Sequence, residues 1–355
     1  MGKHLCIDQN AQHYLSTKTL QKVSEYEKSN VNSRLRCFKR HTSSQKQSFA
    51  EELSHSLSHE SKFISPKFFY DKIGSELFEK ICDLPEYYLA RTEIEILNHL
   101  KTELAHFLDD DFRLVELGSG SSKKARHILD VLHETQSETE YFPIDISDIL
   151  EASSQELLSL YQNLHITGII DTYENGLEFL NKYDSKNNLI VFLGSSFGNF
   201  DPKDGLEFLK KINSIMKDSD LFLIGLDLIK EKSILEKAYD DSEGVTRQFN
   251  LNILSRINTE LDGNFDLANF AHVARYNENE KRIEMYLQSL TNQTVQIPKA
   301  NLSITLQKDE LIHTENSYKF SLNDIEDMMA DTGFEIKRIW FDSNKHYAMV
   351  LASKI

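Results

Sequence analysis

The chain has 355 residues, 40% of them apolar, enough for a sizeable core in one large domain or two closely associated ones. Its 56 acidic residues against 40 basic ones give a formal net charge of −16, which offers no surface-wide attraction to nucleic acid or an anionic membrane and favours small-molecule partners. No run of about 18 apolar residues occurs, no apolar core of a secretory signal opens the chain, and Cys6, Cys37 and Cys82 lack CxxC spacing; no membrane span, disulfide framework or structural zinc site is expected, and the expected location is cytoplasmic.

Residues 1–56 are polar, and the text "HTSSQKQSFAEELSHSLSHESK" (41–62) reads as a mobile arm leading into a helix. His55 and His59 stand four apart there, but no further ligand is near; they read as a solvated face and no metal is assigned. From about 113 onward, short β-rich apolar runs alternate with amphipathic stretches. The strand candidates are "RLVEL" (113–117), "EYFPIDI" (140–146), "HITGII" (165–170), "LIVFLGSS" (189–196) and "LFLIGLDLI" (221–229). Between them lie helical stretches such as "SKKARHILDVLHE" and "KDGLEFLKKINSIMK". This βαβ alternation predicts a mostly parallel sheet with helices on both faces.

Roughly 90 residues, about 230–319, interrupt the alternation with a helical stretch, "AYDDSEGVTRQFNLNILSRIN", and strand-like "RIEMYLQSL" and "LSITL". They read as an inserted unit over the carboxyl edge of the sheet, where open α/β folds bind ligands. The chain closes in "FEIKRIWFD" and "HYAMVLASKI", two β-rich runs joined by a polar turn. Such a closing antiparallel hairpin is typical of the class I methyltransferase fold. The expected organisation is a polar arm (1–56), a substrate-binding domain (57–90 plus 230–319) and a methyltransferase domain (91–229 plus 320–355).

In "LVELGSGSSKKAR" (114–126), Gly118 permits a tight strand-to-helix turn and Gly120 the close approach of a ligand to backbone. A GxG turn also serves plain strand–helix packing, and alone it decides nothing. Asp145, at the end of "YFPIDIS", can accept both hydroxyls of a ribose or merely cap a strand end. Lys123 stands where a GxGxxG fingerprint needs its third glycine, which disfavours a nicotinamide cofactor. The loop "FLGSSFGNFDP" has no Pro-Pro pair and the chain has no Pro-Cys dipeptide, so the loops of nucleobase methylation are missing.

Together, "SPKFFYDKIGSELFEKICDLPEYYLARTEIEIL" (65–97), the GSGSS turn, "FLGSSFGNFDP", "DLIKEKSILEKAYDDSEGVTRQFN" and "RIEMYLQSL" resemble the histidine-specific methyltransferase family over residues 60 to the end. The resemblance implies S-adenosylmethionine as methyl donor and stepwise trimethylation of the α-amine of L-histidine to hercynine, in ergothioneine formation. It implies cofactor contacts at Gly118, Lys124, Asp145, Thr172 and Tyr173, with Thr172 standing where the family usually has Asp. Asn199 and Tyr239 match the residues holding the substrate carboxylate, and Tyr70 and Gly194 those beside the amine. Tyr87, Glu315 and Ser317 match those reading the imidazole, with Met285 packed alongside. Each has a plainer reading: core tyrosines, a turn-forming Asn, a gap-filling Met, a solvated strand. The alternatives are an α-N-methyltransferase of tryptophan or a prenylated tryptophan, and a catalytically inactive binder of S-adenosylmethionine. A monomer is expected.

Overall fold

The computed structural model describes residues 26–40, 45–108, 112–120, 122–146, 149–180 and 186–355. In chain order its strands are β1 (Tyr26–Asn30), β2 (Leu35–Arg40), β3 (Phe112–Leu117), β4 (Thr139–Asp145), β5 (Leu164–Ile170), β6 (Asn187–Phe192), β7 (Leu221–Asp227), β8 (Phe270–Asn277), β9 (Arg282–Ser289), β10 (Gln293–Ile297), β11 (Leu302–Leu306), β12 (Leu311–Tyr318), β13 (Phe334–Phe341) and β14 (Tyr347–Lys354).

Nine of them form one sheet in the order β1-β2-β5-β4-β3-β6-β7-β14-β13. The six strands from β2 to β7 in that order run parallel, whereas β1, β14 and β13 are antiparallel to their neighbours. Strands β3 and β7 are buried at every position, as parallel strands covered on both faces must be, and this is why they read as unbroken apolar runs. The covering helices are amphipathic: in Ala125–Thr135, Ile128, Leu129 and Leu132 are fully buried on one side. The chain steps outward from β3 to β4 and β5, then returns to place β6 on the other flank of β3. That reversal opens a crevice at the carboxyl ends of β3 and β6. The expected class I methyltransferase sheet, mostly parallel and closed by a C-terminal antiparallel hairpin, is present.

A second core gathers Phe49, Leu53 and Leu57 with Phe69, Ile81, Leu235, Phe249, Ile253, Ile283 and Leu306. It lies between the helices Gln45–Leu57, Lys72–Asp83 and Val245–Leu261, the three-stranded antiparallel sheet β12-β9-β8 and the β10–β11 pair.

Three local readings change. Residues 26–40, expected as part of a polar arm, form β1 and β2 and extend the main sheet through the parallel β2–β5 pairing; Leu35, Cys37 and Phe38 are buried. Cys6 lies outside the described residues. Helix across 238–258 breaks after Tyr239 because the Asp241 carboxylate accepts the N–H groups of Val245 (2.9 Å) and Thr246 (2.7 Å) and starts a new helix. Strand β6 stops at Phe192 rather than 196, since Gly194 (φ 82°) and Ser195 (φ 59°) enter the left-handed region and turn the chain into the crevice. His55 and His59 are exposed, with their Nε2 atoms 3.2 Å apart.

If β2 is a structural strand, Leu35→Ala should cost about 2–5 kcal/mol in urea unfolding, the cost of truncating a buried leucine. A change within about 0.5 kcal/mol, as for a surface position, would return the segment to the status of an arm.

Candidate functional site

A cavity of about 550 Å³ lies at the carboxyl ends of β3, β4 and β6, walled on the far side by the inserted elements. Of the thirteen site residues inferred from sequence, twelve line it: Tyr70, Tyr87, Gly118, Lys124, Asp145, Tyr173, Gly194, Asn199, Tyr239, Met285, Glu315 and Ser317. Thr172 is exposed and does not. The neighbouring Asp171 cannot stand in for the missing carboxylate, because it accepts from Tyr26 (2.6 Å), Asn175 (3.0 Å) and the Thr172 amide (2.7 Å).

At one end, the turn after β3 holds Gly118 at φ 73°. A side chain there would be strained, and its Cβ would come within 2.8 Å of the Tyr173 hydroxyl. Asp145, ending β4, accepts the Gly120 N–H at 3.0 Å and is thereby aimed across the turn. Ser119 and Ser195 carry buried hydroxyls without a protein partner on the same walls. A carboxylate acceptor, a phenol ring and two unpaired hydroxyls suit a nucleoside, whose ribose diol donates and whose base stacks.

Between this end and the inserted unit sits a clasp that the sequence reading missed. Glu93, on the helix Tyr88–His99, is fully buried and receives the Gly194 N–H at 2.8 and 3.1 Å, the Tyr347 hydroxyl at 2.9 Å and the Lys124 ammonium at 2.6 Å. Burial alone would depress the Lys124 pKa, but the carboxylate beside it raises it, so the lysine stays charged. Glu116, on β3, is also buried and takes a hydrogen bond from Tyr141; burial raises its pKa to about 8.

The other end is aromatic and polar. Tyr70 precedes Asp71, whose carboxylate caps the helix Lys72–Asp83 through Gly74 (2.7 Å) and accepts from Asn252 (2.8 Å), which fixes the tyrosine's backbone. Tyr87 is held by Arg91, which donates to the carbonyls of Leu84 and Pro85 at 2.6 Å each. Tyr239 ends its helix with its carbonyl bound by His272 (2.8 Å), an imidazole that burial keeps neutral. Strand β12 presents Glu315 and Ser317 after a bulge between His313 and Glu315, and Met285 of β9 is the register partner of Glu315. The Tyr239 and Ser317 hydroxyls are 2.7 Å apart.

The side chains of Tyr70, Tyr87, Asn199 and Glu315 make no hydrogen bond to any described residue, and all four face the cavity. Buried polar groups are ordinarily paired. Four unpaired side chains around a single space, Tyr87 and Glu315 buried and Tyr70 and Asn199 half-buried, mark where a polar ligand would supply the partners. Burial pushes the Glu315 carboxyl up to about 7, with Lys319 pulling the other way.

Lys319, also missed, is buried beneath this wall. Its ammonium donates to Tyr239 (3.1 Å) and Ser317 (2.8 Å) and pairs with Asp227 at 2.9 Å. Its signal was present in the sequence: positions 315, 317 and 319 share one face of a strand, and a lysine in an inward register needs a partner. Glu93 likewise stands among the buried positions Leu89, Ala90, Ile96 and Leu97 of its helix. Among the described residues, no cluster of three or more His, Cys, Asp or Glu is arranged to hold a metal, and no helix is long and apolar enough to cross a membrane.

The profile of histidine-specific, S-adenosylmethionine-dependent methyltransferases matches residues 49–354. A histidine N-alpha-methyltransferase of Mycobacterium tuberculosis is 38% identical over 294 residues, covering 82% of this chain and 91% of that protein. One from Mycolicibacterium smegmatis is 36% identical over 292 residues, covering 82% and 90%. A 4-dimethylallyltryptophan N-methyltransferase of Claviceps purpurea is 24% identical over 315 residues, covering 82% and 91%.

Glu315 has a folded-state pKa of about 7, raised above the ordinary 4.5. Its protonated form therefore favours folding, a contribution fully present below pH 4.5 and lost as pH rises through 7. The stability of the wild type relative to Glu315→Gln should fall by about 1.4 kcal/mol per pH unit across that window in ligand-free protein. Parallel pH profiles of urea unfolding would show that the carboxyl is not desolvated.

Proposed function

Because the chain belongs to the histidine-specific, S-adenosylmethionine-dependent methyltransferase family, we propose that it methylates the α-amine of L-histidine, three times in succession, to give hercynine. The observation that carries the assignment of substrate is the set of four unpaired polar side chains, Tyr70, Tyr87, Asn199 and Glu315, around one cavity that also holds the cofactor turn.

In this reading Gly118, Asp145 and Tyr173 hold the nucleoside of the methyl donor, with Lys124 holding the wall between cofactor and substrate through Glu93. S-Adenosylmethionine, when bound, supplies an electrophilic methyl group. The chain itself then has to orient a neutral amine, keep water out and give its proton somewhere to go. Orientation of this kind is worth roughly 7–11 kcal/mol of barrier. Asn199 donates from its amide to the substrate carboxylate, and Tyr239 donates from its phenol. Tyr70 and Gly194 flank the amine. Burial holds the Tyr70 phenol well above its ordinary pKa, so it stays protonated and orients the amine by accepting an N–H rather than acting as an anionic base. The Gly194 N–H is committed to Glu93, which leaves the amine only its carbonyl, and a water held on that carbonyl carries away the proton the amine gives up before each transfer. Tyr87, Ser317 and Glu315 read the ring, with Met285 filling the space beside it.

Histidine suits this ring site better than tryptophan does. An imidazole offers two nitrogens, each donor or acceptor according to its protonation, whereas an indole has one N–H and no acceptor and would leave a buried partner unpaired. Near pH 7 the Glu315 carboxyl, with a pKa of about 7, can accept from a ring N–H when ionised or donate to a bare ring nitrogen when protonated.

Purified protein incubated with S-adenosylmethionine and an equimolar mixture of amino acids should yield histidine carrying three added methyl groups by mass spectrometry. Methylation of another amino acid would leave the family and overturn the substrate. Glu315→Ala should lower kcat/KM for histidine by about 100-fold or more, the cost of losing a polar partner in a specificity site, while changing cofactor affinity less than about threefold. Equal losses in both would make Glu315 a structural residue.

A further inference from the structure

Lys319 does not line the cavity, yet it controls two groups that do. Its ammonium has three hydrogens and three partners: Asp227 at 2.9 Å, Ser317 at 2.8 Å and Tyr239 at 3.1 Å. Both hydroxyl oxygens are therefore acceptors toward the lysine. The two hydroxyls are also 2.7 Å apart, so one donates to the other.

Counting hydrogens and lone pairs then leaves little freedom. Two hydroxyls bring two hydrogens, and one is spent between them. The oxygen that accepts from its neighbour has now accepted twice and keeps its hydrogen for the cavity. The oxygen that donates has accepted only from Lys319 and keeps one lone pair. The pair thus presents one donor and one acceptor, on different oxygens, and reversing one reverses the other.

We propose that Lys319 is a positioning residue for substrate specificity: by donating to both hydroxyls it couples the polarity of Ser317 to that of Tyr239, so that a carboxylate held by Tyr239 obliges Ser317 to accept from a ring N–H. This deepens the reading of Tyr239 and Ser317 given above and rests on it. A carboxylate only accepts, so Tyr239 must donate to it; Ser317 then donates to Tyr239 and has just its lone pair left for the ring. A ring with no N–H at that position meets lone pair against lone pair. The lysine is held in the role by Asp227, which outweighs burial and keeps it protonated. Asp227 is itself fixed by Lys230 (2.5 Å) and by the Tyr88 hydroxyl (2.7 Å), which holds the lysine's acceptor in place.

The test compares histidine with β-(4-thiazolyl)alanine, an amino acid of the same ring shape with no N–H, by the ratio of their kcat/KM values. In the wild type the ratio should exceed about 100, as for a site left with an unpaired polar group. In Lys319→Met no shared ammonium holds the two oxygens against each other, so Ser317 is free to leave Tyr239 and turn its hydrogen to the ring, and the ratio should fall about tenfold or more with cofactor Kd within about twofold. Lys319→Arg, which keeps donors and charge, should restore most of it. An unchanged ratio in folded Lys319→Met, or a loss of cofactor affinity matching the loss of selectivity, would overturn the proposal. Should Lys319→Met not fold, Ser317→Ala carries the test, since removing the coupled acceptor must lower the ratio likewise; an unchanged ratio there overturns it too. A wild-type protein that does not methylate histidine sinks the parent reading, whereas one that does, with a ratio insensitive to both substitutions, sinks only this one.

Discussion

Everything at the active end of this molecule hangs on two buried carboxylates that bind the helix Tyr88–His99 to the sheet and to the inserted unit. Asp227 closes β7 and receives Tyr88 of that helix, Lys230 of the following loop and Lys319 from beyond β12. Glu93, five residues along the same helix, receives Tyr347 of β14, Lys124 of the turn after β3 and the backbone of Gly194. Tyr347 and Asp227 are register partners in the sheet, so the two clusters form a crossed pair across one interface. Burying charge this deeply is unfavourable unless every carboxylate and ammonium finds its counterpart, and here each does. Removing Glu93, Lys124 or Asp227 leaves a buried charge stranded, which makes the arrangement rigid in a way that apolar packing alone does not.

That rigidity is what allows the cavity walls to remain unsatisfied. Tyr70, Tyr87, Asn199 and Glu315 keep polar atoms without protein partners, an arrangement that collapses when neighbouring side chains are free to turn inward and pair. Here the neighbours are committed: His272 to the Tyr239 carbonyl, Arg91 to the loop before Tyr87, Asn252 to the cap beside Tyr70. The raised pKa values of Glu315 and Glu116 follow from the same economy of partners, because a buried carboxyl with few donors holds its proton.

How much of this could be read from the chain depends on what kind of signal each part leaves. The parallel strands β3 to β7 were legible because burial makes them largely continuous apolar words, and the closing hairpin because β14 is buried throughout except at its last residue, whereas the parallel β2, spelled "LRCFKR", was not. Strand β1 was not, since "YEKSN" at a sheet edge exposes four of its five residues and has the composition of a tail. The break at Asp241 was missed because an acidic residue within a helical text is ordinary until its carboxylate is seen to cap the next turn. The site itself draws on eight separated segments, 70–87, 118–124, 145, 173, 194–199, 239, 285 and 315–317, so no local pattern assembles it. It was reached through family resemblance, and twelve of the thirteen residues so named share a cavity. What resemblance did not bring forward were Glu93 and Lys319, which act from behind the wall, and Glu116, which lines it.

The bulge before Glu315 makes the identity of this site a question of phase. Along β12, residues 315 and 317 point into the cavity only because the register slips by one place after His313, with Thr314 taken up in the slip and left buried with an unpaired hydroxyl. A strand of the same composition, paired straight through, turns Thr314, Asn316 and Tyr318 toward the ligand instead: an alcohol, an amide and a phenol, with no carboxylate and no lysine behind them. A single-residue insertion or deletion in this stretch is therefore worth a wholesale rewriting of the pocket, performed without changing one of its letters.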